Sequence, residues 1–282
     1  MWFTLFMQID LSTGTLDYVD TGGDGPTVVL LHGLLMDSSL WDGPIADLAA
    51  DHRCVAPTLP LGAHRRAASG DLSLPAIARL VEEFLERLDL HDVTLVGNDT
   101  GGALVQLVLA GKPERVGRAV LVSCEAFDNV PPGLTGKVLV LSGKLSPRLF
   151  GAFMQQLRLR AARRLPIAFG WLTKRGDAAT ARWIRPVLTS QEIRRDTVRM
   201  LRAIDGRAVA EATAALSSFH RPALVVWAAE DRVMPPEHGR RLTELLPDSQ
   251  LVEIADSYTL VPLDQPTELA AAVRSFVMTT VI

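Results

Sequence analysis

The chain has 282 residues, of which 48% are hydrophobic and 22% charged, with a formal net charge of -3. That is ample apolar content for one large α/β domain, or a domain with an inserted subdomain, and it excludes a disordered chain. The balance of charge argues against a general nucleic-acid binder, yet it hides an asymmetry: residues 125–215 hold 16 Lys and Arg against 7 Asp and Glu, and the remainder 13 against 25. A basic segment therefore sits within an acidic body.

Taken in order, the elements begin with two strands at 2–9 and 15–20, joined at Ser12-Thr13-Gly14 as an opening hairpin. The apolar strand 27–31 follows and runs into His32-Gly33-Leu34-Leu35. A helix over 39–50 and a short buried strand at 53–56 lead into a proline-rich loop that carries His64. Ser73 is placed to cap a helix with Pro75 in its first turn, and Ile77, Leu80, Val81, Phe84, Leu85 and Leu88 mark its apolar face. A strand at 93–96, a helix at 101–110 and a strand at 118–123 complete an alternation that predicts a parallel sheet covered on both sides.

From Glu125 the alternation stops. Pro131-Pro132-Gly133 opens an arginine-rich helical stretch punctuated by Pro147, Pro166 and Pro186, read as an inserted cap over 125–215 between core segments 1–124 and 216–282. Strand signals return at 222–227, followed by a helix at 236–246, a strand at 250–254 and a closing helix at 266–277. Phe150, Phe153, Met154, Leu157, Phe169, Trp171 and Trp183 read chiefly as packing between cap and core, and their character favours a hydrophobic substrate. The cap arginines read mainly as a solvated face or as docking onto the acidic body, and they leave room for an anionic substrate.

Cys54 and Cys124 lie in apolar runs and are expected to be buried free thiols. The first residues lack the basic start and cleavage site of a signal peptide, and no apolar run approaches a membrane span, so a cytoplasmic protein without a membrane partner is expected. A homodimer is allowed, and no cofactor or metal is expected.

The stretch Val93 to Leu104 organises the rest: an apolar run, the turn Gly97-Asn98-Asp99-Thr100-Gly101, then an Ala/Leu/Val helix. Glycines two residues either side of a central residue let a strained strand-to-helix turn lift that side chain above the sheet. With His32-Gly33 after the third strand, Asp231 after the seventh, and the ending Asp256-Ser257-Tyr258-Thr259-Leu260-Val261-Pro262, the whole chain resembles the α/β-hydrolase fold. The resemblance implies a mostly parallel eight-stranded sheet with a cap after strand six, a nucleophile at Asp99, and an oxyanion hole from the backbone N–H groups of Leu34 and Thr100. An elbow Asp resembles the haloalkane dehalogenase and epoxide hydrolase branch, where the carboxylate forms an ester with the substrate.

Two departures bear on the chemistry. Where the family keeps its histidine this sequence has Thr259, and no histidine follows His238. A threonine hydroxyl cannot take the proton of the hydrolytic water, and losing a general base costs about 10²–10⁴-fold. His64, at the carboxyl edge of the sheet, is the candidate replacement, while Glu125 after the sixth strand competes with Asp231 as the acid. The usual leaving-group donors are also missing, since Thr100 stands beside the nucleophile and the tyrosines, Tyr18 and Tyr258, lie outside the cap. Three readings stand: a hydrolase of small hydrophobic substrates through an Asp99 ester, a cofactor-independent lyase, isomerase or cyclase using Asp99 as acid and base, and a ligand-binding member without catalysis.

Overall fold

A computed structural model describes residues 5–280. Eight strands form one sheet in the order β1-β2-β4-β3-β5-β6-β7-β8. They are β1 (Leu5–Leu11), β2 (Gly14–Asp20), β3 (Thr27–Leu31), β4 (Arg53–Pro57), β5 (Val93–Asp99), β6 (Val116–Cys124), β7 (Ala223–Ala228) and β8 (Ser249–Ile254). The hairpin β1–β2 is antiparallel, as is the pairing of β2 with β4, and every other pairing is parallel. The opening strand expected from residue 2 is seen from Leu5, and its first residues lie outside those described.

The central strands read as unbroken apolar runs because helices cover both faces of the sheet: every residue of β5 and of β7 is buried. Helix Leu74–Arg87 starts where the sequence places it, with the Ser73 hydroxyl accepting the Ala76 N–H. The helix expected over 39–50 instead divides into a 3-10 turn, Ser38–Trp41, and a helix, Asp42–Leu48. Pro44 fits there because it falls in the first turn, where its missing N–H has no partner to lose.

Between β6 and β7 the chain makes a helical excursion of short pieces, among them Gly133–Ser142, Pro147–Met154, Gln191–Arg202 and Gly206–Ala215. Three anchors tie it to the sheet. Trp183, fully buried, donates its indole N–H to the Asp37 carboxylate at 2.9 Å. The carboxylate of Asp264 accepts from the Thr173 hydroxyl at 2.7 Å and from the backbone N–H groups of Lys174, Arg175 and Tyr258 at 3.0 Å each. Lys174 also pairs with Glu230 at 2.8 Å and Asp256 at 3.0 Å. Both cysteines are buried and free.

Candidate active site

β5 ends in the turn that the glycines announce. Asp99 has φ +55° and ψ -129°, a region L side chains rarely enter, and helix Thr100–Ala110 begins at the next residue. A Cβ at Gly101 would overlap the Leu31 carbonyl, so only glycine lets the helix start this close to β3. The strain lifts Asp99 to the carboxyl edge of the sheet beneath the excursion.

One oxygen of Asp99 is already held. Its Oδ2 accepts the Leu34 N–H at 3.2 Å, and the Thr100 N–H also favours the ionised form. A Cβ on Gly33 would fall inside this carboxylate, which is why the loop after β3 can lie directly against it. The neighbouring His32 is fully buried, accepts the Leu59 N–H at Nε2 (2.8 Å) and lies 2.9 Å from the Gly33 carbonyl through Nδ1. Burial drives its pKa down to about 4, so a neutral ring fixes the loop that carries Leu34.

Three carboxyl groups share this end of the sheet. Burial raises Asp99 to about 6; the N–H groups of Thr100 and Leu34 oppose the rise, and the charge of Asp231 adds to it. Glu125, just past β6, is buried and pushed well above the ordinary carboxylate range, first by desolvation and then by the charge of Asp99. The Thr100 hydroxyl bridges the two, donating to Glu125 Oε1 at 2.8 Å and lying 3.5 Å from Asp99 Oδ2. Asp231, after β7, is raised to about 6 by burial, although the N–H groups of Met234 and Val233 and the Thr259 hydroxyl all bond its Oδ1. Glu125 Oε2 and Asp231 Oδ2 are sealed from solvent and have no partner among the described residues.

Thr259, fully buried, donates its hydroxyl to Asp231 Oδ1 at 2.8 Å and has no group able to act as a base near neutral pH. Its backbone is pinned by Asn98, whose side-chain N–H₂ donates to the Thr259 carbonyl at 2.8 Å and to the Val122 carbonyl at 2.9 Å. Asn98 escapes sequence reasoning because its partners lie on other elements. The structure places His64 away from the cavity. Its Nδ1 accepts the Gly62 N–H within the loop after β4, its Nε2 faces Asp196 of helix Gln191–Arg202 at 3.5 Å, and neither His64 nor Asp231 is among the residues lining the cavity that receives Asp99. The contact at Nε2 joins the excursion to the loop after β4.

That cavity lies between the strand ends and the excursion, with about 830 Å³ of atom-free space including its mouth. Asp99 and Glu125 form its polar floor under Leu34, Leu35, Phe153, Met154, Leu157 and Phe169. Pro132, Thr135, Val138 and Leu139 also line it; sequence reasoning missed these because helix Gly133–Ser142 is apolar on several sides and shows no face. Phe150 and Trp183, fully buried, and Trp171 are absent from the lining, and none of the described tryptophans contributes an indole N–H to it. Among the described residues no group of three His, Cys, Asp or Glu is placed to hold a metal ion.

The family model described as the alpha/beta hydrolase fold matches residues 26–266. The chain belongs to the α/β-hydrolase fold family. Within it, the chain is 28% identical to haloalkane dehalogenase 2 of Mycobacterium tuberculosis over 272 residues, covering 94% of this chain and 92% of that protein. A stretch of 109 residues is 37% identical to a haloalkane dehalogenase of Mesorhizobium japonicum, covering 39% of this chain but only 35% of that protein. Among solved structures, a carboxylesterase from Bacillus subtilis superposes with a TM-score of 0.79 at 20% identity, covering 99% of this chain and 94% of that one, a likeness of fold. The dehalogenase relatives support a hydrolase.

Proposed function

We propose that the protein hydrolyses small hydrophobic substrates at a saturated carbon through an ester on Asp99. The observation that carries this reading is the bond from the Leu34 N–H to Asp99 Oδ2. The oxyanion donors hold the enzyme's own carboxylate, leaving Oδ1 free to attack, and the same donors stabilise Oδ2 when water later adds to the ester carbonyl. A substrate enolate would have to displace Asp99 from these donors, which counts against the lyase reading.

The three carboxyl groups divide the proton work because their environments differ. Asp99 Oδ1 forms a bond to carbon as the leaving group departs with its electron pair. Glu125, whose burial favours the protonated form, gives its proton to that leaving group, which suits an oxygen more than a halide ion. Water then adds to the ester carbon and gives its proton to Asp231, which lies behind the cavity lining, close enough for its charge to act on Asp99, and whose buried Oδ2 has no hydrogen-bond partner among the described residues. Collapse expels the product alkoxide, which takes the Asp231 proton, and the protonated Asp99 returns a proton to Glu125 across the Thr100 hydroxyl. The residues of 125–215 act in this reading as a cap that keeps the ester dry apart from the reacting water.

Asp231→Asn separates the two half-reactions, because it removes the base and leaves the nucleophile. Incubated with a panel of alkyl epoxides and alkyl halides, this variant is expected to accumulate a covalent adduct, seen by intact mass and mapped to Asp99. Turnover should fall about 10²–10⁴-fold. Absence of any adduct on a substrate that the wild type turns over would overturn the ester mechanism.

A further inference from the structure

From Asn129 to Gly176 the chain carries nine Lys and Arg residues and not one Asp or Glu. Four of the nine are engaged. Arg160 and Arg163 pair with Asp177 at 3.0 and 3.3 Å, and Lys174 and Arg175 reach Asp256 on the body. The other five, Lys137, Lys144, Arg148, Arg158 and Arg164, are exposed and make no ion pair among the described residues. The acidic body leaves these five cations to solvent.

The same stretch gathers the exposed apolar side chains. Of the eight large hydrophobic residues that stand exposed among those described, six lie here: Leu134, Leu141, Leu149, Leu159, Leu165 and Ile167. Leu134, Val138 and Leu141 fall at spacings of four and three on helix Gly133–Ser142, one above the other on a single stripe. The Thr135 hydroxyl bonds the Pro166 carbonyl at 2.7 Å, which joins that helix to the segment bearing Leu165 and Ile167. Val138, Leu165 and Ile167 also line the cavity, so this face contains the mouth of the site.

A stretch that exposes apolar side chains and unpaired cations, with no carboxylate along it, matches a surface that offers negative charge outside and hydrocarbon beneath. We propose that this face docks on an anionic lipid bilayer, lying in its interface with the cavity mouth turned toward the acyl chains. No helix among the described residues is long and apolar enough to cross a membrane, so the contact is peripheral. A substrate dissolved in the bilayer then enters the cavity without passing through water. A span is a different property from this surface, which needs only exposed leucines and cations in the same stretch.

The test is sedimentation of the full chain with vesicles of phosphatidylcholine alone and of phosphatidylcholine mixed with phosphatidylglycerol. Binding is expected to the mixed vesicles, with release by salt, since surface charge attraction is screened within a Debye length. Each of Lys137→Gln, Arg148→Gln and Arg158→Gln should lower the partition about fivefold. Leu134→Ser/Leu141→Ser should lower it too, with the melting temperature of each variant unchanged. Equal partition to both vesicles, or none to either, would overturn the proposal. So would a wild-type dimer without lipid affinity that Leu134→Ser/Leu141→Ser converts to a monomer, because the face would then cover a second copy of the chain.

Discussion

Asp99 is costly to the fold in two ways, and both serve its placement. Its left-handed backbone stores strain on the order of 1–3 kcal/mol, and its carboxylate is buried beside two others. The folded-state pKa of about 6 lies above the ordinary aspartate value of 3.8. Ionising Asp99 therefore weakens the fold, fully sparing it below about pH 4 and reaching its limit once the pH has risen through about 6. A shift of that size corresponds to about 3 kcal/mol. Asp99→Asn removes the charge and keeps the shape, so it is expected to match the wild type in stability near pH 3, to exceed it increasingly from about pH 4 to about pH 7, and to hold a constant lead above that, as read from urea unfolding at each pH. A stability difference that does not change with pH would show that the Asp99 carboxylate is not held at a raised pKa.

At the scale of elements, the sheet and its elbow were legible and the joints between core and excursion were not. β5, β6 and β7 announce themselves as continuous apolar runs, and Gly97-Asn98-Asp99-Thr100-Gly101 marks the turn, because these signals are local. The joints depend on partners far along the chain. His64 meets Asp196 at a separation of 132 residues, so a loop histidine at the sheet edge looks like a free base until the excursion is folded onto it. Glu125 was visible as a carboxylate after β6, but its raised pKa comes from burial and the charge of Asp99 against the opposing Thr100 hydroxyl, which no spacing encodes. Asp264 was hidden in a terminal motif read for a missing histidine. It is buried and holds three backbone N–H groups and one hydroxyl from two separate segments. Asp264→Ala leaves those donors unpaired and should cost roughly 3–5 kcal/mol by chemical denaturation. A loss under about 1 kcal/mol would mean that the strap at residues 173–175 does not hold the excursion.

For the whole molecule, the charge asymmetry seen in composition becomes a division of surfaces. Lys174, Arg175 and Arg182 reach carboxylates of the body, whereas the cations around the cavity mouth stand free, so one basic segment both clasps the sheet and faces outward. The cavity between them combines an apolar roof with a floor of two carboxyl groups, Asp99, raised to about 6, and Glu125, pushed well above the ordinary carboxylate range by burial. In the proposed mechanism this combination divides nucleophile, acid and base among Asp99, Glu125 and Asp231. The central claim is that water attacks the carboxyl carbon of Asp99 and not the substrate. A single turnover in ¹⁸O-labelled water, with enzyme in excess over a substrate from the epoxide and halide panel, followed by peptide mass mapping, tests it directly. The account predicts one ¹⁸O in the peptide containing Asp99 and none in the first product; label in the product with none in Asp99 would contradict it.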